Sequence, residues 1–107
     1  AASDVYKRQC LDYIDRNLHE SIRLADLAAL VNLSGDYLSK LFKKHVGKPL
    51  REYIIERKLE TAKAMLRGEC DQKMVAYYLG FCSQAYFITC FRKAYGITPH
   101  QYAARFG

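Results

Sequence analysis

The sequence predicts an all-α fold of seven helices, arranged as two helix-turn-helix subdomains joined by a long central helix. Apolar residues recur at helical spacing along almost the whole chain. No segment alternates with a period of two for long enough to indicate a strand. One block of sequence also repeats after 48 or 49 residues, and each copy has the order short helix, tight turn, longer helix.

The first subdomain is predicted to span about residues 5–48 and to contain three helices. The first of these buries Cys10, Leu11, Ile14 and Leu18. The second covers about residues 24–31 and ends at Asn32, a residue that tolerates the left-handed conformation. Ser34 caps the third, which continues to about residue 46. Four residues of this third helix are expected to face the core: Tyr37, Leu38, Leu41 and Phe42.

A linker helix over about residues 50–67 leads to the second subdomain, predicted at about residues 71–106. There a helix over about residues 72–79 is followed by a turn at Gly80. Ser83 caps the next helix, which continues to about residue 95, and a last helix covers about residues 100–105. The residues of the Ser83-capped helix expected to face inward are Tyr86, Phe87, Cys90 and Phe91.

The internal repeat supports the same division. Leu27, Ala28, Val31, Asn32 and Leu33 recur 48 positions later as Val75, Ala76, Leu79, Gly80 and Phe81. Ser34, Tyr37, Phe42, Lys44, Gly47 and Tyr53 recur 49 positions later as Ser83, Tyr86, Phe91, Lys93, Gly96 and Tyr102. The extra residue, Cys82, falls in the turn, where insertions are tolerated best.

The charge is unevenly distributed. The net charge is +6, yet residues 37–51 hold five basic residues and no acid, and residues 72–107 hold four basic residues and no acid. Two acid-free basic blocks favour two contacts with a polyanion. The alternative that charge alone leaves open is two solvated helix faces.

Nothing in the sequence predicts an enzyme, a metal site or a cofactor. The four cysteines form no C-x-x-C pair, and His19, His45 and His100 fall in no ligand or nucleophile pattern. No apolar run approaches the ~20 residues of a membrane span. The cysteine usage fits a reduced, cytoplasmic setting.

The second helix of each helix-turn-helix is the candidate reader of base edges in the major groove. The base-facing residues expected on the first reader are Asp36, Ser39 and Lys40. Those expected on the second are Gln84, Ala85, Ile88 and Thr89. Lys40 suits guanine, Gln84 suits adenine, and Ile88 and Thr89 suit a thymine methyl. Asp36 fits a role at the helix N-terminus better than a base contact.

A second set is expected to hold phosphates and to position the protein without reading sequence. It consists of Lys43, Lys44, Lys48, Arg51, Arg92 and Lys93, together with the helix N-termini at Ser34 and Ser83. The alternative for the lysines is ordinary solvation.

The stretch from Met74 to Tyr102, MVAYYLGFCSQAYFITCFRKAYGITPHQY, resembles the characteristic region of AraC/XylS-type transcription regulators. Residues 24–54 resemble the first helix-turn-helix of that family, and Arg57, Lys58 and Leu59 with Ala62 and Leu66 resemble its linker helix. The resemblance extends to the output domains of YesN-like response regulators. It implies that both readers enter successive major-groove segments on one face of double-stranded DNA. The family often has Ser-Arg where this chain has Ile88-Thr89, which implies a weaker base reader in the second subdomain.

The residues predict a single DNA-binding domain over residues 1–107, and the resemblance implies that it regulates bacterial transcription, with RNA polymerase as a further partner of the full-length protein. The isolated domain is expected to be a monomer, because no large apolar face is left over, whereas a domain outside this sequence would make the full-length protein dimeric. The competing interpretation is a helical protein-interaction module that does not bind DNA. A salt titration distinguishes the two, since phosphate contacts give a steep salt dependence.

Overall fold

A computed structural model describes the backbone of residues 2–106 and the side chains of residues 5–106. Within this range the chain forms seven α-helices and no strand, which confirms the predicted fold class. The helices are α1 (Ala2–Arg16), α2 (Leu24–Val31), α3 (Gly35–Val46), α4 (Leu50–Arg67), α5 (Gln72–Tyr78), α6 (Gln84–Tyr95) and α7 (Pro99–Phe106). The observed bounds of α2, α3, α4 and α6 match the predicted ones, and those of α5 and α7 differ from them by one residue. Helix α1 ends at Arg16, before Leu18, which was predicted to lie on it.

The contacts divide the chain into two compact units. Unit 1 comprises Ala1–Leu18 and Ile22–Ile54, and unit 2 comprises His19–Ser21 and Ile55–Gly107. Helix α4 therefore contributes its first residues to unit 1 and the remainder to unit 2. The short segment His19–Ser21, which connects α1 to α2, belongs to unit 2, an assignment that the sequence did not predict.

Unit 1 is built around one hydrophobic core to which α1, α2, α3 and the start of α4 contribute. The buried side chains of this core are Cys10, Ile14, Leu27, Ala28, Val31, Leu38, Phe42, Leu50 and Ile54. The rings of Phe42 and Tyr53 meet edge to face with centroids 5.6 Å apart, a favoured aromatic geometry. Apolar burial, at roughly 25 cal/mol per Å², is what holds α3 against its neighbours.

The turn between α2 and α3 depends on Asn32. This residue has a φ of 57° and a ψ of 42°, the left-handed conformation that the sequence predicted. Its backbone N–H donates to the carbonyls at the end of α2, and the N–H of Leu33 donates to the carbonyl of Ala28 at 3.0 Å. Asparagine is among the few non-glycine residues that adopt this conformation at low cost. The tight turn of a helix-turn-helix is therefore present in unit 1.

Unit 2 has an aromatic core. Phe87 and Phe91 are fully buried, and their rings lie 5.9 Å apart in an edge-to-face arrangement. Phe81 continues the series at one end, 5.0 Å from Phe87, and Tyr95 and Tyr102 continue it at the other, 4.8 and 5.6 Å from Phe91. Such rings bury large apolar areas, and their packing holds α6 between the turn before it and α7 after it.

Helix α7 begins one residue earlier than predicted because Thr98 caps it. The Thr98 Oγ1 accepts from the Gln101 backbone N–H at 3.1 Å, and the Gln101 Oε1 accepts from the Thr98 N–H at 2.9 Å. This reciprocal pair is a capping box, and Pro99 occupies the first helical position, where its missing N–H costs nothing. The Thr-Pro-x-Gln pattern in the sequence indicates this helix start.

Candidate nucleic-acid interface

Helix α3 is fixed at both ends. Ser34 has extended backbone, and its Oγ accepts a hydrogen bond from the Tyr37 N–H at 3.2 Å. At the other end Gly47 has a φ of 92°, and its N–H donates to the Lys43 carbonyl at 2.9 Å. Leu38 and Phe42 bury one face. The two caps define the length of α3, and the face opposite Leu38 and Phe42 is presented to solvent.

Three predicted base-facing residues, Asp36, Ser39 and Lys40, are exposed on that face. Asp36 and Lys40 are four residues apart, so they are neighbours along one side of the helix. The Lys40 ammonium carries donors that suit the acceptors O6 and N7 of guanine. Asp36 lies in the first turn, where the helix dipole stabilises a carboxylate. Their contact with bases stays a prediction.

The prediction that Tyr37 faces the core is wrong. Its side chain is 56% exposed, although Leu38 and Phe42 on the same helix are buried as expected. Helical position explains the difference, because Leu38 and Phe42, four residues apart, define the centre of the buried face and Tyr37 lies at its margin. The surface of the first turn of α3 therefore includes a tyrosine.

Helix α6 is capped in the same way as α3, by a serine at its N-terminus and a glycine at its C-terminus. The Ser83 Oγ accepts from the Tyr86 N–H at 3.0 Å, and Gly96, with a φ of 80°, ends the helix. Of the predicted base-facing residues, Ala85 and Thr89 are exposed, whereas Gln84 and Ile88 are half-buried.

The Thr89 hydroxyl has a partner within its own helix. It donates to the Ala85 carbonyl at 3.0 Å, one turn earlier. The exposed groups of Thr89 are consequently its methyl group and an acceptor oxygen, because its hydroxyl proton is already donated within the helix. The outer face of α6 is more apolar than that of α3 and holds no long cation in its first two turns.

Most of the predicted phosphate-binding residues are exposed cations near the ends of the reader helices. Lys43, Lys44, Arg51, Arg92 and Lys93 are exposed, and Lys48 is half-buried. Two of them, Arg92 and Lys93, lie in the last turn of α6, and Lys43 and Lys44 lie in the last turn of α3. Cations there are stabilised by the negative end of the helix dipole.

Ser34 and Ser83 are also exposed, but their side-chain oxygens already accept a helix N–H. Each hydroxyl retains its proton, which is the group a phosphate oxygen accepts. The two serines thus cap the helices, and their contact with phosphate stays a prediction.

Sequence reasoning missed the role of Lys58, which is buried in unit 2 at 5% exposure. Its Nζ donates to the Glu20 carbonyl at 2.7 Å and to the Leu79 carbonyl at 2.5 Å. It also lies 5.7 Å from the centre of the Phe81 ring, a cation–π distance. Burial lowers the pKa of Lys58 from its usual value. No sequence signal identified this role, because two of the partners are backbone carbonyls.

Leu79, Gly80 and Phe81 form the turn between α5 and α6, so Lys58 holds the turn that precedes the second reader. Gly80 has a φ of 72°, and a Cβ placed on it would lie 2.9 Å from the Glu20 carbonyl carbon. Only glycine fits this close approach without movement of the backbone. The sequence identified Gly80 as a turn residue but not the segment that it contacts.

The described residues contain no group of three or more potential ligands that could hold a metal ion. Among these residues there is also no helix that combines the length and the apolar character needed to span a membrane. The groups that converge on the reader helices are instead donors, cations and apolar side chains.

Two capped reader helices, each preceded by a short helix and a left-handed turn residue, define a protein with two helix-turn-helix units. Residues 27–105 match a family described as "Helix-turn-helix domain". The regulatory protein PocR of Salmonella typhimurium is 35% identical over 100 residues, which are 92% of this chain and 33% of PocR. The chain therefore spans about a third of the length of this relative.

Solved structures show the same similarity. The C-terminal domain of the two-component response regulator YesN from Fusobacterium nucleatum is 35% identical, with a TM-score of 0.86 and coverage of 91% of this chain and 96% of that one. The DNA-binding domain of AdpA, solved with a target DNA, shares the fold with a TM-score of 0.87 at 23% identity, over 92% of this chain and 89% of that one. The chain belongs to the helix-turn-helix family of AraC/XylS-type transcription regulators.

Proposed function

We propose that this chain is the DNA-binding part of a bacterial transcription regulator and that its two helix-turn-helix units occupy successive major-groove segments of one duplex. The observation that carries the proposal is the repetition of one arrangement: a capped reader helix with exposed side chains in its first turns and exposed cations in its last. Base edges are read by the N-terminal turns of such a helix, and phosphates are held by flanking cations.

The two units differ in what they offer the bases. In unit 1, Lys40 and Ser39 present a long cationic donor and a short hydroxyl to the groove. In unit 2, the proton of Thr89 is engaged by Ala85, and Ile88 is half-buried. Unit 1 is therefore the principal reader of sequence, and unit 2 contributes apolar contacts, the amide of Gln84 and phosphate contacts.

The regulator acts on DNA in the cytoplasm and contacts RNA polymerase when it is complete. The chain by itself is monomeric, and a domain outside these residues senses the signal and makes the regulator dimeric. The similarity to the YesN C-terminal domain supports a role as an output domain of a response regulator. Sedimentation of the chain at micromolar concentration tests whether the chain by itself is monomeric, since a tight dimer would contradict this statement.

Selection from a random pool of duplex DNA, followed by footprinting on the selected site, tests the proposed function. We expect one selected duplex with two protected major-groove segments about one helical turn, roughly 10 base pairs, apart. Binding should also weaken steeply as salt rises, because phosphate contacts release counterions. Failure to enrich any duplex, together with salt-independent binding to DNA, would contradict the proposal and favour a protein-interaction module.

A further inference from the structure

Tyr37 lies on the surface of the first reader helix rather than in the core. It is 56% exposed and occupies the first turn of α3, beside Asp36 and three residues before Lys40. Residues three apart are neighbours on a helix surface, so the Tyr37 ring lies next to the principal predicted base reader. An isolated exposed aromatic residue needs no explanation by itself. Tyr37, however, lies beside the residues predicted to read bases, and this position suggests a function.

The internal repeat provides a direct comparison with Tyr86. Both tyrosines donate their backbone N–H to a capping serine, Tyr37 to Ser34 at 3.2 Å and Tyr86 to Ser83 at 3.0 Å. The Tyr86 ring, however, is half-buried and lies 6.1 Å from the ring of Phe81. The same backbone position therefore holds a covered ring in unit 2 and an exposed ring in unit 1.

The difference follows from the residue at the preceding turn. The repeat places Leu33 where unit 2 has Phe81, and Leu33 packs against the core of unit 1. A leucine side chain provides no ring for the tyrosine to contact, whereas Phe81 does. The Tyr37 ring is thus not covered by the core of unit 1, and its hydroxyl is available for a partner outside the chain.

A phenol on the first turn of a reader helix can contact the DNA backbone. Tyrosine hydroxyls donate hydrogen bonds to phosphate oxygens, and such contacts set the register of a protein on the duplex. Helical side chains lean toward the N-terminus, so the ring extends over the turn that faces the DNA. The group is neutral, and its contact with a phosphate releases no counterion.

We propose that Tyr37 is a DNA-backbone contact, with its hydroxyl donating to a phosphate at the edge of the groove that α3 enters. This inference rests on the proposed function. It makes Tyr37 a residue that orients α3 and positions Lys40, without reading sequence itself. Tyr86 has no equivalent role, because its ring is packed against Phe81.

The test uses Tyr37→Phe, which removes only the hydroxyl, and binding isotherms on the selected duplex and a scrambled duplex at several salt concentrations. We expect affinity to fall about 3- to 10-fold on both duplexes, in line with the loss of one hydrogen bond, and the salt slope to stay unchanged. Tyr13→Phe, on α1 in the same unit, is the control and should leave affinity unchanged. The melting temperature of Tyr37→Phe should equal that of the wild type, because the hydroxyl is at the surface.

A scan with single neutral methylphosphonates then locates the contact. At one phosphate the affinities of the wild type and Tyr37→Phe should become nearly equal, because the methyl group has already removed the negative charge and one of the two non-bridging oxygens that could accept from the Tyr37 hydroxyl. Equal affinity of the two proteins on the unmodified duplexes would overturn the proposal. A loss confined to the selected duplex would make Tyr37 a base reader instead, and a lowered melting temperature would contradict its surface position. If the wild type itself bound no duplex, the proposed function would fail rather than the role of Tyr37.

Discussion

The Nζ of Lys58 donates to the carbonyl oxygen of Leu79 at a distance of 2.5 Å, within the interior of unit 2. The same ammonium donates to the Glu20 carbonyl at 2.7 Å. A residue of α4 thereby satisfies two carbonyls, one of which belongs to the turn immediately before the second reader helix. Buried polar groups of this kind require partners, so the side chain at position 58 is a structural requirement of unit 2.

Lys58→Met should lower the free energy of unfolding by about 1–3 kcal/mol, because the thioether fills a similar volume but leaves two carbonyls without their donor. Chemical denaturation followed by far-UV circular dichroism measures this change. Lys73→Met is a suitable control, since Lys73 is an exposed lysine on α5. Equal stability of the two variants would show that the Lys58 hydrogen bonds do not contribute.

A comparison of Gly80→Ala with Gly96→Ala separates two destabilising effects of a new Cβ, a clash with nearby backbone atoms and an unfavourable backbone conformation. Both glycines have positive φ, 72° and 80°, but only at Gly80 does a new Cβ meet backbone atoms, the nearest at 2.9 Å. Gly96→Ala should cost about 1–2 kcal/mol for the left-handed conformation. Gly80→Ala should cost clearly more, because the Glu20 segment must move. Thermal melting of the two variants measures both losses of stability. Equal losses would argue against the close approach of Gly80 to the Glu20 backbone.

The core assignments predict that Phe42→Ala and Phe91→Ala each unfold their own unit. Phe42 is 4% exposed and Phe91 is fully buried, so each truncation should cost roughly 3–5 kcal/mol. The chain has no tryptophan, so circular dichroism is the appropriate signal. Phe106→Ala, at a residue that is 54% exposed, should change stability much less. Wild-type melting temperatures for both core variants would refute the assignment of the buried faces.

Tyr95 makes the stability of unit 2 sensitive to alkaline pH. Burial, together with the charge of Glu60, raises the pKa of Tyr95 to about 12 from the usual 10. Between these two values the unfolded chain loses the proton while the folded chain keeps it. The free energy of unfolding therefore falls as pH rises from 10 to 12, and the contribution is fully present only below pH 10.

Tyr95→Phe keeps the ring that packs on Phe91 at 4.8 Å but has no proton to lose. Its stability should consequently decline less than that of the wild type across this pH window. Denaturant titrations at intervals from pH 9.5 upward provide the comparison, and the difference between the two proteins cancels other titrating groups such as Lys58. Parallel curves for the two proteins would contradict the raised pKa.

The sequence predicted local features well because they depend on adjacent residues. Ser34 and Ser83 cap their helices, and Asn32 adopts the left-handed conformation, as expected from residue type alone. Features that depend on distant parts of the chain were not predicted. The partners of Lys58 are carbonyls 38 and 21 residues away, and no residue type identifies a carbonyl.

The exposure of Tyr37 is an intermediate case. The repeat gave Tyr37 and Tyr86 the same position, and similar environments were therefore expected. The sequence already contained a difference, since the repeat places Leu33 where unit 2 has Phe81, the residue whose ring lies beside Tyr86. The predicted base-facing residues of α3 are all exposed, as expected, whereas the half-burial of Ile88 on α6 depends on packing that a helical pattern does not define.

The central claim is that Lys40 reads bases while Lys93 holds a phosphate, and binding isotherms on the selected and scrambled duplexes at several salt concentrations test it most directly. Lys40→Ala should cost about 1–3 kcal/mol on the selected duplex and relax preference at one or two base pairs. Lys93→Ala should weaken binding to both duplexes alike and reduce the salt slope by about one. Thr89→Ala should change little, because its hydroxyl donates within its own helix. Equal losses on both duplexes for Lys40→Ala, with discrimination abolished by Thr89→Ala, would contradict the account and make unit 2 the reader.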